Sequence, residues 1–324
     1  MSEPRRALLS IGDPNGSGPD IAVKAVAMLG AAAPVVVGDR HVLVEPARKA
    51  GLALRAAVPG ARADAGMCDV IDVGALDPAE LAIGRVTAAA GAATIAYAAK
   101  AVALAMDGGY RGVVACPHSE NAVRQAGIAF AGYPPLIAEL TGTPIDEVFL
   151  MLVGGGVRIA HVTLHERLVD AIGRLTPELV VQAGVALHTA LRRMGIAAPR
   201  IGVFGINPHA GEHGLFGDDD RRVTEPAVAA LRARGIDAEG PTGADVLLGG
   251  TRDADAYLAM YHDQGHLPVK TLAGRTAAAI TIGAGIPFSS VGHGPVFDKA
   301  GSGTADPSAV LSALRLLAPP VQED

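Results

Sequence analysis

The sequence predicts an α/β fold with a largely parallel sheet. Three observations carry this: short β-branched runs of strand length, helical patterns between them, and polar, small-residue segments right after the runs. The predicted strands are residues 7–11, 34–37, 112–115, 148–153, 157–164, 200–206 and 278–282, with a further apolar run at 257–260. Apolar runs of this kind suit strands covered on both faces. Helices are predicted at 20–29, 86–106, 177–193, 225–234 and 307–317. The second is Ala-rich and the longest. The last opens at Pro307, with Asp306 at its N-cap.

The chain has 324 residues, enough for roughly two domains at about 150 each. Half the residues are hydrophobic, so a large core can be buried. The net charge is −6, with no basic stripe interleaved with aromatics, and nucleic acid is excluded as a partner. Cys68 and Cys116 are the only cysteines, which gives no disulfide framework and fits a reducing compartment. Both are read as structural. The first ten residues hold no signal-peptide core, and the apolar stretch 21–38 is broken by Lys24 and Pro34. The expectation is a cytoplasmic protein without a membrane span.

In open parallel sheets, ligands bind beyond the carboxyl ends of the strands. The segments there are Gly12-Asp13-Pro14-Asn15-Gly16-Ser17-Gly18, Cys116-Pro117-His118-Ser119-Glu120, His165, Asn207-Pro208-His209-Ala210-Gly211-Glu212 and Tyr261-His262-Asp263-Gln264-Gly265-His266. Imidazole is the commonest metal ligand, and His-bearing loops that follow strands can converge on one divalent ion. His161 and His165 are four apart. Read as one strand, 157–164 puts their rings about 13 Å apart. They then cannot share an ion, and the strand-end His165 is the candidate. The Gly12 segment has neither the dinucleotide glycine spacing nor a Gly-Lys-Ser/Thr, so it is read as a tight turn. The stretch from His293 through Gly294, Asp298, Gly301 and Gly303 to Asp306 is read as a small-molecule loop, its glycines allowing close backbone approach.

Together these segments resemble the 4-hydroxythreonine-4-phosphate dehydrogenase family of the isocitrate and isopropylmalate dehydrogenase superfamily. The most specific parts are Gly205-Ile206-Asn207-Pro208-His209-Ala210-Gly211-Glu212, Met260-Tyr261-His262-Asp263-Gln264-Gly265 and Gly12-Asp13-Pro14. The resemblance implies two α/β/α domains with an active-site cleft between them: an NAD-binding domain of 1–130 plus 271–324, and a metal, substrate and dimerisation domain of 131–270. It implies a divalent metal on His165, His209 and His262 with Asp245 nearby, zinc first, iron or manganese next. It implies NAD on His293, Gly294, Asp298, Gly301, Gly303 and Asp306, and a homodimer that completes the site.

The departures bear on substrate. The phosphate-substrate enzymes have His-Lys where this chain has His118-Ser119, and Gly-His-Thr where it has Gly132-Tyr133-Pro134. Ala279 and Phe288 replace an Asn and an Arg, while Lys270 remains. Phosphate recognition favours Arg forks and dense donors, so a flatter, more apolar substrate is expected. The segments around Cys116, Phe130 to Pro134, Phe149 to Gly154, His161 to Glu166 and Ser289 to Gly294 resemble the family branch acting on terephthalate dihydrodiol. That branch implies NAD- and metal-dependent oxidative decarboxylation to protocatechuate. The expected catalytic residues are His118, Lys270 and Asp263, and the expected substrate contacts are Asp13, Tyr133 and Lys270. A 4-hydroxythreonine-4-phosphate or four-carbon acid sugar phosphate dehydrogenase is the alternative. A phosphate acyltransferase and a non-catalytic metal or nucleotide binder are the more distant readings.

Overall fold

The structure is a computed structural model and describes residues 5–274, 277–291 and 294–317. The described residues divide into two compact units, 5–142 with 285–317 and 143–284. The first unit opens with β1 (Leu8–Ser10), α1 (Gly18–Leu29), β2 (Val35–Val37), α2 (Arg40–Lys49), β3 (Ala53–Ala56) and β4 (Met67–Ile71). It continues through α3 (Ala88–Met106), β5 (Val113–Ala115), α4 (Glu120–Gln125) and α5 (Tyr133–Thr141). The second unit runs from β6 (Phe149–Gly154) and β7 (Val157–His161) through α6 (Leu168–Arg174), α7 (Pro177–Arg193), β8 (Arg200–Phe204) and α8 (Glu225–Ala233). It ends with β9 (Asp237–Thr242), α9 (Ala244–Gly249), β10 (Ala256–Ala259), α10 (His262–Ala273) and β11 (Ala278–Ile282). The chain then returns to the first unit for β12 (Phe288–Val291) and α11 (Ser308–Leu316).

The first unit's strands lie in the order β3-β4-β2-β1-β5-β12, all pairs parallel. Leu8, Leu9, Val36, Val113 and Val114 are fully buried in its centre. Helix α3 is long and apolar enough to cross a membrane by length and composition alone. In the fold it is a core helix: Tyr97, Ala98, Ala101 and Val102 are buried on one face. Its small residues let α4 approach so closely that a Cβ at Gly91 would stand 2.1 Å from the Ala122 carbonyl oxygen.

The second unit's strands lie in the order β11-β6-β7-β10-β8-β9. β7, β10, β8 and β9 are parallel, whereas β11 and β7 each run antiparallel to β6. Leu152, Ile159, Phe204, Tyr257 and Val269 form its core.

The unit boundaries fall at 142/143 and 284/285 rather than 130/131 and 270/271. α5 packs on α3 and stays with the first unit, while β11 is held in the second by its antiparallel pairing with β6. Two local differences matter for the site. β7 stops at His161, and 162–165 leave the strand. The segment from His262 to His266, expected as a loop, is the opening of α10.

Candidate functional site

Each unit carries a cluster of polar groups at its strand ends. In the first unit, the Gly12 turn leaves β1 and meets the chain leaving β5, where the Asp13 amide donates to the Pro117 carbonyl at 3.0 Å. Asp13 is fully buried. Its Oδ1 accepts from the Asn15 amide at 2.9 Å, and its Oδ2 has no partner. Burial pushes its carboxyl up to about 6. Ser10 Oγ, Ser17 Oγ, His118 Nε2 and Tyr133 OH are likewise buried without partners. Unpaired buried polar atoms are costly and mark places where a fold is kept for something other than stability.

Asp13 gives a testable consequence. Its folded pKa lies above the ordinary 3.8, so the charged form costs stability as pH rises from about 4 through 6. The full cost above pH 6 is about 3 kcal/mol. Asp13→Asn keeps the acceptor for Asn15 and removes the charge. We expect it to raise the melting temperature at pH 8 by several degrees and to leave it nearly unchanged at pH 4. Thermal melts at the two pH values check this, and an equal shift at both would contradict the burial account.

His118, Phe130, Tyr133 and Phe288 form one aromatic cluster. His118 meets Phe130 and Tyr133 edge-on at 5.1 and 4.8 Å, Phe130 meets Tyr133 at 5.6 Å, and Tyr133 meets Phe288 at 4.7 Å. These separations suit favourable ring pairs. Burial lowers the His118 imidazole and raises the Tyr133 phenol, so both are neutral near pH 7.

The segment from Gly294 to Asp306 lies against the start of α1. Ser17 donates its amide to Pro295 O at 2.7 Å, Gly301 donates to Asp20 Oδ2 at 2.7 Å, and Lys24 donates to Ala305 O at 2.7 Å. Asp306 Oδ1 accepts from the Ser308 amide at 2.9 Å in a turn just before α11, which starts at Ser308 with Pro307, not Asp306, at its N-cap. A Cβ at Gly303 would meet nothing within 4 Å, which leaves space beside its Cα for a ligand. Asp298 is exposed. His293, expected here as a cofactor contact, lies outside the described residues.

The second unit holds the histidines. His165 and His262 have ring centres 5.4 Å apart. Two imidazoles on one tetrahedral ion stand roughly 5 Å apart, so this pair fits a shared metal. His262 Nδ1 donates to Asp263 Oδ1 at 2.7 Å, leaving Nε2 as a lone pair. Asp263, expected as a proton relay, orients His262. His209 sits on a left-handed loop in which His209, Ala210, Glu212 and His213 all have positive φ. Its ring lies 6.2 Å from Phe216. Among the described residues, no group of three or more His, Cys, Asp or Glu stands at metal-holding geometry. The pair His165–His262 is assembled, and the third corner is not closed. Asp245 stands in the first turn of α9 and Lys270 near the end of α10; both are exposed.

His161 lies near the pair. β7 and β10 are neighbours with Ala259 opposite His161, which brings the His161 ring to 6.5 Å from His262. His161 Nδ1 pairs with Leu150 O and its Nε2 with His266 Nδ1, each at 3.0 Å. A carbonyl only accepts, so His161 Nδ1 carries the proton and Nε2 accepts from His266. His161 therefore has no nitrogen left for an ion. Burial lowers His161 to about 4 and His266 to about 3, so both are neutral.

Three supporting residues were missed in the sequence. Gln264 accepts the Met260 amide and donates to Gly205 O, both at 2.7 Å, and so ties the end of β10 to the start of the His209 loop. Buried Asp220 accepts the Ile206 and Asn207 amides at 2.7 and 2.9 Å, anchoring that loop from below. His266 stacks on His262 at 3.7 Å and 15°. Its signal was the i, i+4 spacing, which becomes meaningful only once α10 is recognised as a helix. Cys68 and Cys116 are free and buried, and burial raises both thiols, Cys68 to about 12. Neither is an activated nucleophile.

Residues 30–317 match the family of the pyridoxal phosphate biosynthetic protein PdxA. The chain belongs to the PdxA family. Among its relatives is the 1,2-dihydroxy-3,5-cyclohexadiene-1,4-dicarboxylate dehydrogenase of a Comamonas species, 44% identical over 316 residues and 97% of each chain. The D-threonate 4-phosphate dehydrogenase of Cupriavidus necator is 45% identical over 95% of this chain and 94% of its own. The crystal structure of a terephthalate 1,2-cis-dihydrodiol dehydrogenase from Burkholderia xenovorans superposes with a TM-score of 0.80 at 49% identity over 97% of both chains. These PdxA-family relatives are dehydrogenases, and this chain is a dehydrogenase acting on a hydroxyl-bearing carbon.

Proposed function

We propose that this PdxA-family chain oxidises terephthalate cis-dihydrodiol with NAD and releases carbon dioxide and protocatechuate. The observation that carries the reading is the aromatic cluster of His118, Phe130, Tyr133 and Phe288. Tyr133 and Phe288 occupy positions where the phosphate-substrate enzymes are expected to carry phosphate-holding groups. A packed aromatic cluster is poor at holding a dianion and favourable to a flat ring.

The balance is simple. The alcohol proton at C2 leaves to a base and its hydride goes to NAD. The new ketone lies β to the C1 carboxylate, so the C1–carboxyl bond breaks as carbon dioxide. Its electron pair enters the ring, and the enolate oxygen takes a proton back. The dianionic diol plus NAD gives protocatechuate, carbon dioxide and NADH.

His165, His209 and His262 would hold the divalent metal, zinc first, with Asp245 nearby. The Nε2 lone pair of His262 and the 5.4 Å pair suit that role. A bound divalent ion supplies Lewis acidity toward the alcohol and ketone oxygens. His118, neutral and with an unpaired Nε2, is suited to take the alcohol proton. Lys270 supplies a cation for a substrate carboxylate, and Asp13 offers Oδ2 to a substrate hydroxyl. Gly294, Asp298, Gly301, Gly303 and Asp306 would hold NAD, which assigns the first unit to the cofactor and the second to the metal. The second unit would also form the homodimer face.

The test is NADH formation at 340 nm from the dihydrodiol, with and without chelator. The expected result is chelator-sensitive NADH matched one to one by protocatechuate. No NADH from the diol, with turnover of D-threonate 4-phosphate or 4-hydroxythreonine-4-phosphate, would overturn the ring-diol reading.

A further inference from the structure

A chain of hydrogen bonds in the second unit starts at a backbone carbonyl and ends at a ring stacked on a metal-ligand candidate. His161 Nδ1 donates to Leu150 O at 3.0 Å on the neighbouring strand β6. His161 Nε2 accepts from His266 Nδ1 at 3.0 Å. His266 lies 3.7 Å from His262 with the two rings 15° from parallel. Each link has one possible direction, because the carbonyl cannot donate and His161 has one remaining lone pair. The position of the His266 ring is therefore fixed from the sheet outward. Gly265 keeps the relay closed: a Cβ there would stand 2.4 Å from His161 Nε2. The helix carrying His262 and His266 rests directly on the His161 ring.

We propose that His161 and His266 are positioning residues of the metal centre, a two-imidazole relay that locks the plane of the His262 ring through stacking. The inference rests on His262 being a metal ligand. Asp263 fixes which nitrogen of His262 carries the proton, and His266 fixes the ring's tilt. The two supports act on different degrees of freedom, and outer partners of this kind set metal affinity.

The test is cobalt(II) binding to the metal-stripped full chain, read by competition with a chromophoric chelator and by the visible cobalt absorption bands. Wild type is expected to bind one cobalt per chain. His266→Ala is expected to bind it about 10- to 100-fold more weakly, with altered band positions. His161→Leu should do the same, because the His266 ring loses its anchor. His161→Gln restores a donor for Leu150 O and an acceptor for His266, and should recover most of the affinity that His161→Leu loses. A folded His266→Ala with wild-type affinity and bands would overturn the proposal. So would His161→Gln binding no better than His161→Leu. Wild type binding no cobalt would remove the metal reading itself, and the relay with it.

Discussion

His262→Ala should abolish turnover while leaving the protein folded. The ring stands at the first position of α10 with about a third of its side chain exposed, so its removal opens no core cavity. The stability change should stay below about 1 kcal/mol. The catalytic change is far larger, because a Lewis acid supplies several kcal/mol toward charge developing on oxygen. Loss of about 4 kcal/mol lowers kcat by about a thousandfold. Bound metal should fall in parallel. His209→Ala should behave alike, although its loop is held by Asp220 and not by a helix. Metal analysis beside steady-state rates checks both variants. Undiminished turnover with no metal bound would refute the ligand assignment.

Gly12→Ala should be the most destabilising single substitution at the first unit's strand ends. Gly12 has φ of +69°, where an L side chain is strained, and a Cβ would stand 2.2 Å from Pro117 O and 2.7 Å from Cys116 O. Both neighbours are backbone and cannot rotate away, so the β1 and β5 ends must separate. The expected cost exceeds about 3 kcal/mol, or about 10 °C in Tm. Gly60→Ala is the control. It has φ of +76° and open space, and should cost only about 1 kcal/mol. Equal losses at the two sites would show that backbone strain alone matters and that the close approach does not.

The contrast explains why Gly12-Asp13-Pro14 was legible as a turn while its close packing on the end of β5 was not. Glycine and proline announce a turn locally. The 2.2 Å approach to Pro117 depends on a strand more than a hundred residues away. Buried strands were legible for the same local reason: β1 lies in a short apolar run, and β2, β5 and β11 are short runs with β-branched residues. β3 and β9 were not, because Ala53–Ala56 and Asp237–Thr242 are largely exposed strands at the outer ends of the strand order and carry no apolar run. α10 escaped because Gly265 and Pro268 mark a loop in isolation. In the fold, Gly265 is there to let the helix rest on His161. Missing α10 hid the His262–His266 pair, and reading β7 as running on past His161 was a separate error. The aromatic cluster was half legible: the unusual residues at 133 and 288 stood out, but their contact with each other and with His118 is a property of the tertiary structure.

The proposed reaction is on a ring diol and not on a phosphorylated acid. The most direct measurement is the ratio of kcat/KM for terephthalate cis-dihydrodiol to that for D-threonate 4-phosphate, with the same metal and NAD. A site with Tyr133 and Phe288 where phosphate-holding groups are expected should favour the diol by at least about a thousandfold, because leaving a phosphate's charges unpaired costs more than about 4 kcal/mol. A ratio near or below one would contradict the account, since the aromatic cluster would then be packing alone.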